Sequence, residues 1–198
     1  MFNDLSSPAA LLATRRSGKA RDMAAPGPDA AALARILHAA TRVPDHGKLA
    51  PWRFLVVDDR DALATMLVDT YRAEKPEAKR LEVEAMDAFA RYAPTLVIAI
   101  SAPAHASHIP IWEQELSVGA ACMNLLTAAH AEGFVGSWLT GWATYSPGVR
   151  AALLPANVGP DGRIAGFIYL GTATAALEER PRPDPATVIG RWPPAAVG

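Results

Sequence analysis

Cysteine is almost missing from this chain of 198 residues, and the single Cys122 excludes an intrachain disulfide framework and a cysteine-based zinc site. That usage fits a reducing compartment. Charge of one sign is missing too: 19 Lys and Arg stand against 20 Asp and Glu, a net charge of −1, so the basic surplus that nucleic-acid binding draws on is absent. A small molecule is the expected partner. The apolar run from Leu116 to Ala129 falls short of the roughly 20 residues that span a bilayer, and Met1-Phe2-Asn3-Asp4 carries an acid and no basic segment. No membrane partner is expected, and the expected location is the cytoplasm. No G-x-G-x-x-G and no Walker-type loop follows a strand, which argues against a Rossmann cradle and a P-loop. His105 and His108 share a loop without a third ligand type at suitable spacing, so no metal is expected.

Apolar residues, by contrast, make up 51% of the chain, enough for a sizeable core, and the length fits one domain spanning 1–198. The stretch that organises it is Thr41-Arg42-Val43-Pro44-Asp45-His46-Gly47-Lys48-Leu49-Ala50-Pro51-Trp52. Pro44 and Pro51 each fix a φ angle, Gly47 is free to take a positive one, and between them lie an acid, an imidazole and an ammonium. A loop that only turned the chain would be shorter and richer in Gly and Asn, so function is expected here.

In chain order, Ser7 and Pro8 signal a helix continued by Ala9 to Thr14, which ends in Arg15-Arg16-Ser17-Gly18-Lys19. Three cations and a hydroxyl suit a phosphate; basic residues also favour a helix carboxyl end for its dipole alone. Pro28 opens a helix with Leu33, Ile36, Leu37 and Ala40 on one face, and Trp52 to Val57 reads as a buried strand. Helices are expected over 60–71 and 76–92, a strand over 95–101, and the longest helix over 110–132. Apolar nearly all round in its middle, that helix should be buried in a core or between subunits. Gly133 to Gly141 combines strand residues with three glycines, Ser146-Pro147 starts a short helix, and 164–170 is the last strand. Residues 172–198 should form an extended carboxy-terminal arm. The expected architecture is helices on both faces of one sheet.

Three segments of this pattern resemble the flavin-dependent nitroreductase family, and within it the short YdjA-like branch of NAD(P)H nitroreductases. They are Arg15-Arg16-Ser17; Arg42-x-Pro44-Asp45-His46-Gly47-Lys48-x-x-Pro51-Trp52; and the carboxy-terminal half, with Trp112-Glu113-Gln114-Glu115-x-Ser117-x-Gly119, Gly133-Phe134-x-Gly136-x-Trp138-x-x-Gly141 and Gly166-Phe167-x-Tyr169-Leu170-Gly171. The resemblance implies an α+β fold of three layers, α/β/α, around a mixed, antiparallel-containing sheet, in a homodimer that shares its sites across the interface.

It also implies FMN as cofactor and NAD(P)H as electron donor, with a nitroaromatic, quinone or similar small acceptor reduced in a ping-pong cycle. On this reading Arg15, Arg16 and Ser17 hold the FMN phosphate and ribityl chain, and Thr41, Asp45 and His46 line the flavin site, in part from the other subunit. Ser137, Trp138 and Leu139 pass beside the isoalloxazine, Arg180 and Arg182 approach the phosphate from the tail, and Thr127, Ala128, Ala129, His130, Ala131 and Glu132 meet the nicotinamide dinucleotide. The chemistry is carried by the flavin, so no side chain is singled out as catalytic. One departure stands out: many relatives have Gln where this chain has Ala50. The resemblance leaves two other readings, a dehydrogenase or dehalogenase of the same superfamily and a flavin-binding module without turnover.

Overall fold

The computed structural model describes residues 1–192. Helix α1, Pro8–Thr14, begins where the Ser7 hydroxyl accepts from the Ala10 amide. After a 3₁₀ turn at Ala20–Asp22 and the two-residue strand β1, Met23–Ala24, helix α2 runs over Ala30–Ala40. It starts two residues after Pro28, because the Asp29 carboxylate caps the Ala32 amide and fixes the first turn there. Strand β2 is Trp52–Val56, α3 is Arg60–Glu74 and α4 is Arg80–Arg91. Pro76 lies outside α4, whose start is set by Glu82 accepting from the Lys79 amide.

Strand β3, Thr95–Ser101, leads to the longest helix, α5, Ile111–Ala131, and then to β4, Val135–Leu139. Two short helices follow, α6 over Trp142–Tyr145 and α7 over Pro147–Leu153, the latter capped by Ser146 as its sequence signals. Strand β5, Arg163–Ala173, runs past the expected end at 170 because Met23 and Ala24 pair with Ala173 and Thr172. A two-residue strand has no periodicity to read, and sequence reasoning missed it, along with α6 and the tail helix α8, Pro185–Val188. Beyond Ala173 the rest of the arm has no helix or strand as far as Trp192; residues 193–198 lie outside the described residues.

The sheet order is β1-β5-β3-β2, with β4 paired to β5, and each of these pairs is antiparallel. Strand β2 is therefore an edge strand and not a buried one, and its Arg53 and Leu55 are exposed. Alternation along the central strands splits the core into two layers. Leu96, Ile98, Phe167 and Tyr169 pack with Leu63 and Leu67 of α3 and Ala90 of α4. Val97, Ala99, Ile168 and Leu170 face the other way, onto Ile36 of α2 and Ala121, Cys122 and Leu125 of α5. This is the three-layer α/β/α arrangement, and it uses Cys122 as a small buried hydrophobe whose thiol is pushed up to about 12 by burial.

Helix α5 has a second apolar face. Trp112, Leu116 and Met123 are exposed along it, and a Cβ added at Gly119 would meet open space. Its third stripe is polar, Gln114, Ser117 and Asn124, and this stripe holds the loops around it.

Candidate active site

The 41–52 connection is shaped by strain and by the polar stripe of α5. Gly47, Lys48 and Ala50 all sit at positive φ, 74°, 56° and 46°, a conformation that costs side-chain-bearing residues on the order of 1 kcal/mol or more. Asp45 holds them there, accepting from the amides of Leu49 at 3.1 Å and Ala50 at 2.9 Å. Helix α5 fixes the rest: Ser117 Oγ donates to Pro44 O at 2.6 Å, Asn124 Nδ2 donates to Ala39 O at 2.5 Å, and Gln114 Nε2 donates to Ile109 O at 3.0 Å. Thr41 is exposed and donates its hydroxyl to His38 O. His46 is presented outward, its Nδ1 2.7 Å from Glu113 Oε2 on the first turn of α5.

The basic segment lies at the other end of α5. Arg15 donates to Ser17 Oγ at 3.2 Å, Arg16 Nε donates to the backbone oxygen of Glu178 at 2.5 Å, and Lys19 pairs with the Glu178 carboxylate at 3.1 Å. The tail is thereby drawn over this segment, and Arg16, Ser17 and Lys19 line a cleft with Ala173, Leu177 and Glu178. Burial depresses the pKa of Arg15, and the charges of Arg182 and Arg16 depress it further. Arg15 thus stands close enough to Arg16 and Arg182 to feel both charges, and a doubly charged phosphate with oxygens for their N–H groups would offset them. Arg182 belongs to this cluster and pairs with Glu179 at 3.4 Å, and Arg180, also exposed, donates its amide to the same carboxylate.

Strand β4 starts beside the same cluster, for a Cβ on Gly18 would come within 2.6 Å of Val135 Cγ1. Ser137 is buried on the sheet, Leu139 is half-buried, and Trp138 is partly exposed, its indole Nε1 donating to Ala165 O at 3.0 Å. The 127–132 segment is divided by its helical period. Ala129 and His130 point into the core; Thr127, Ala128, Ala131 and Glu132 line a groove against α2, where Glu132 holds Arg35 through two hydrogen bonds. His130 accepts the Gly136 amide at Nε2, and its Nδ1 is buried without a protein partner among the described residues. Burial, reinforced by the charge of Arg15, lowers its pKa to about 4.

The expected site residues therefore form two groups within one chain. Arg15, Arg16, Ser17 and Arg182 lie by the carboxyl end of α5, next to β4; Asp45 and His46 lie by its amino end. From Glu113 to His130 is 130 − 113 = 17 residues, roughly 25 Å at a helical rise of 1.5 Å. Glu113, Ser117 and Asn124 went unassigned in the sequence reading. The signal for them was present, because polar residues recur at helical spacing on a helix whose middle is otherwise apolar. Among the described residues no group of three or more His, Cys, Asp or Glu is arranged to hold a metal, and no helix is long and apolar enough to cross a membrane.

Comparison with known proteins bears on the family and the fold. The profile of the "Nitroreductase family" matches residues 12–172. The "Putative NAD(P)H nitroreductase YdjA" of Escherichia coli (strain K12) is 38% identical over 168 residues, covering 82% of this chain and 86% of that one. The crystal structure of a nitroreductase-like family protein from Bacillus cereus superposes with a TM-score of 0.77 at 20% identity, over 95% of this chain and 97% of its own. A variant of NfnB from sphigopyxis sp. strain HMH, described as an FMN- and NADPH-dependent nitroreductase, superposes with a TM-score of 0.66 at 20% identity, over 94% and 99%. The two solved structures bear on the fold alone, while the family match runs through Arg15–Ser17 and Asp45–His46 and ends before Arg182: this chain belongs to the nitroreductase family and is an oxidoreductase of that family.

Proposed function

We propose that the protein binds FMN and uses it to pass electrons from NAD(P)H to small acceptors such as nitroaromatics and quinones. The observation that carries this reading is the guanidinium cluster of Arg15, Arg16 and Arg182, of which only Arg182 is paired with a carboxylate among the described residues, Glu179 at 3.4 Å. The phosphate would sit on Arg15, Arg16 and Ser17, with Arg182 closing from the tail and Arg180 in reach of the outer edge. The isoalloxazine would lie along Ser137, Trp138 and Leu139. When bound, the flavin supplies the hydride chemistry, and the protein supplies orientation and water exclusion.

The span of α5 supports a site shared between two copies. Asp45 and His46 are too far along the helix to meet a flavin held by Arg15–Ser17 of their own chain, but they can meet one held by a second copy. Thr41, nearer the middle of α5, would join them. The exposed stripe of Trp112, Leu116 and Met123 supplies the apolar face that such a homodimer would bury. The groove lined by Thr127, Ala128, Ala131 and Glu132 is the place for a nicotinamide dinucleotide to approach, with Ala129 and His130 supporting it from beneath. A single domain over 1–198, working in the cytoplasm, completes the reading.

Anaerobic addition of NADH or NADPH to the yellow holoprotein tests it. Bleaching of the flavin and release of FMN on denaturation are the expected results. FAD in the supernatant would refute the phosphate site, and a flavin that neither nucleotide bleaches would refute the electron donor. Light scattering should give a dimer mass, and Leu116→Glu should yield monomers that have lost their flavin.

A further inference from the structure

His46 and Glu113 make a pair whose geometry the binding of a flavin does not require. The imidazole Nδ1 stands 2.7 Å from Glu113 Oε2, and a carboxylate can only accept, so the shared proton belongs to Nδ1. Nε2 is then the free nitrogen. The ring is largely exposed, 65% of its side-chain surface, while Glu113 sits lower, at 38%, on the first turn of α5. The other acid of the loop, Asp45, is committed to the amides of Leu49 and Ala50, so among the described residues Glu113 is the partner that orients the ring. A carboxylate behind one nitrogen fixes the tautomer, stabilises the imidazolium and leaves the far N–H directed outward, which is how an imidazole is prepared as a general acid.

Resting on the flavin reading above, we propose that His46 is the proton donor to the acceptor and that Glu113 is its positioning residue. A quinone shows the balance. It gains a hydride from the reduced cofactor and a proton from Nε2 of the His46 imidazolium, so two electrons and two hydrogens reach it. The cofactor is thereby oxidised by two electrons, and His46 is left neutral until a solvent proton restores it. The bond that breaks at the protein is Nε2–H; the bond that forms is O–H on the quinone.

The test compares a quinone with ferricyanide, which takes single electrons and no proton. In His46→Gln the ratio of the quinone rate to the ferricyanide rate, each taken per bound flavin, should fall roughly tenfold or more, general acid catalysis contributing about 10²–10⁴-fold. Glu113→Gln should lower the same ratio by a smaller factor, and it carries the test should His46→Gln fail to fold. A readout without turnover accompanies them: nitrogen-15 spectra of the apoprotein should place the His46 proton on Nδ1, a preference that Glu113→Ala, which leaves no acceptor there, removes. Equal slowing with both acceptors, an unchanged ratio, or a proton on Nε2 overturns the proposal. A wild-type protein that binds no flavin removes this proposal and the flavin reading together, whereas a flavoprotein with an unchanged ratio removes this proposal alone.

Discussion

The indole of Trp138 lies directly over Gly166: a Cβ at position 166 would come within 2.1 Å of Trp138 Nε1. The contact exists because β5 carries a bulge. Ala99 pairs with Gly166 and Ile100 with Ile164, so Ala165 is left over and its carbonyl turns to accept from the indole at 3.0 Å. Gly166→Ala should therefore displace the indole or the strand. Overpacking of this kind costs about 1–3 kcal/mol, and the expected fall in Tm is roughly 3–10 °C, read by calorimetry. The near-ultraviolet circular dichroism should change with it, and a variant with an unaltered Tm would show that the indole is free to move.

Arg16 should matter to the cofactor more than to the fold. Its Nε is bonded to a tail carbonyl, and Arg16 lines the cleft together with Ser17 and Lys19. Arg16→Ala removes a charged hydrogen-bond donor, a loss of about 1.5–3 kcal/mol, so FMN affinity should fall roughly tenfold or more in a fluorescence titration of the apoprotein. Unchanged affinity would leave Arg16 as a clasp for the tail and nothing else.

The layers of the fold were legible because the core strands and helices keep their periods: Thr95–Ser101 was read to the residue, and α5 within one residue at each end. Where tertiary contacts set the boundary, local signals failed. The Asp29 carboxylate moved the start of α2 past Pro28, and pairing with β1 lengthened β5. The loop from 41 to 52 stood out by its composition, and Gly47 has the positive φ expected of it. The company His46 keeps was not legible, because Glu113 lies 67 residues away and its place near the start of α5 is explained equally well by the helix dipole. The gathering of Arg182 with Arg15 was readable only through the family resemblance.

Burial of His130 makes stability depend on pH in a definite direction. Its folded pKa is about 4 against an ordinary 6.5, with burial as the first cause and Arg15 as the second. Between these values the unfolded chain binds the proton and the folded one does not, so stability is full above pH 6.5 and falls as the pH drops toward 4. The loss attributable to this residue is about 3 kcal/mol. Urea unfolding at pH 7.5 and 4.5 should show that loss in the wild type, and His130→Gln should lack this part of it. Parallel pH profiles for the two proteins would mean that His130 titrates normally and that the Gly136 amide has another acceptor.

Kinetics should follow from the single exposed aromatic on the strand that the isoalloxazine is proposed to follow. Trp138 lies between the buried Ser137 and the half-buried Leu139, with the arginine cluster beside the start of the strand and, on the shared-site reading, His46 of a second copy on the far side. That leaves one approach to the flavin for both donor and acceptor. The oxidised nicotinamide must then leave before the acceptor enters, and initial-rate plots against NAD(P)H at several quinone concentrations should run parallel. Oxidised nicotinamide should compete with the quinone, since both seek the same space. Trp138→Ala should change the KM for donor and acceptor together, because the indole borders the space each must occupy. Lines that converge would mean that both molecules are bound at once, and a KM change confined to one substrate would mean that the two have separate places on the enzyme.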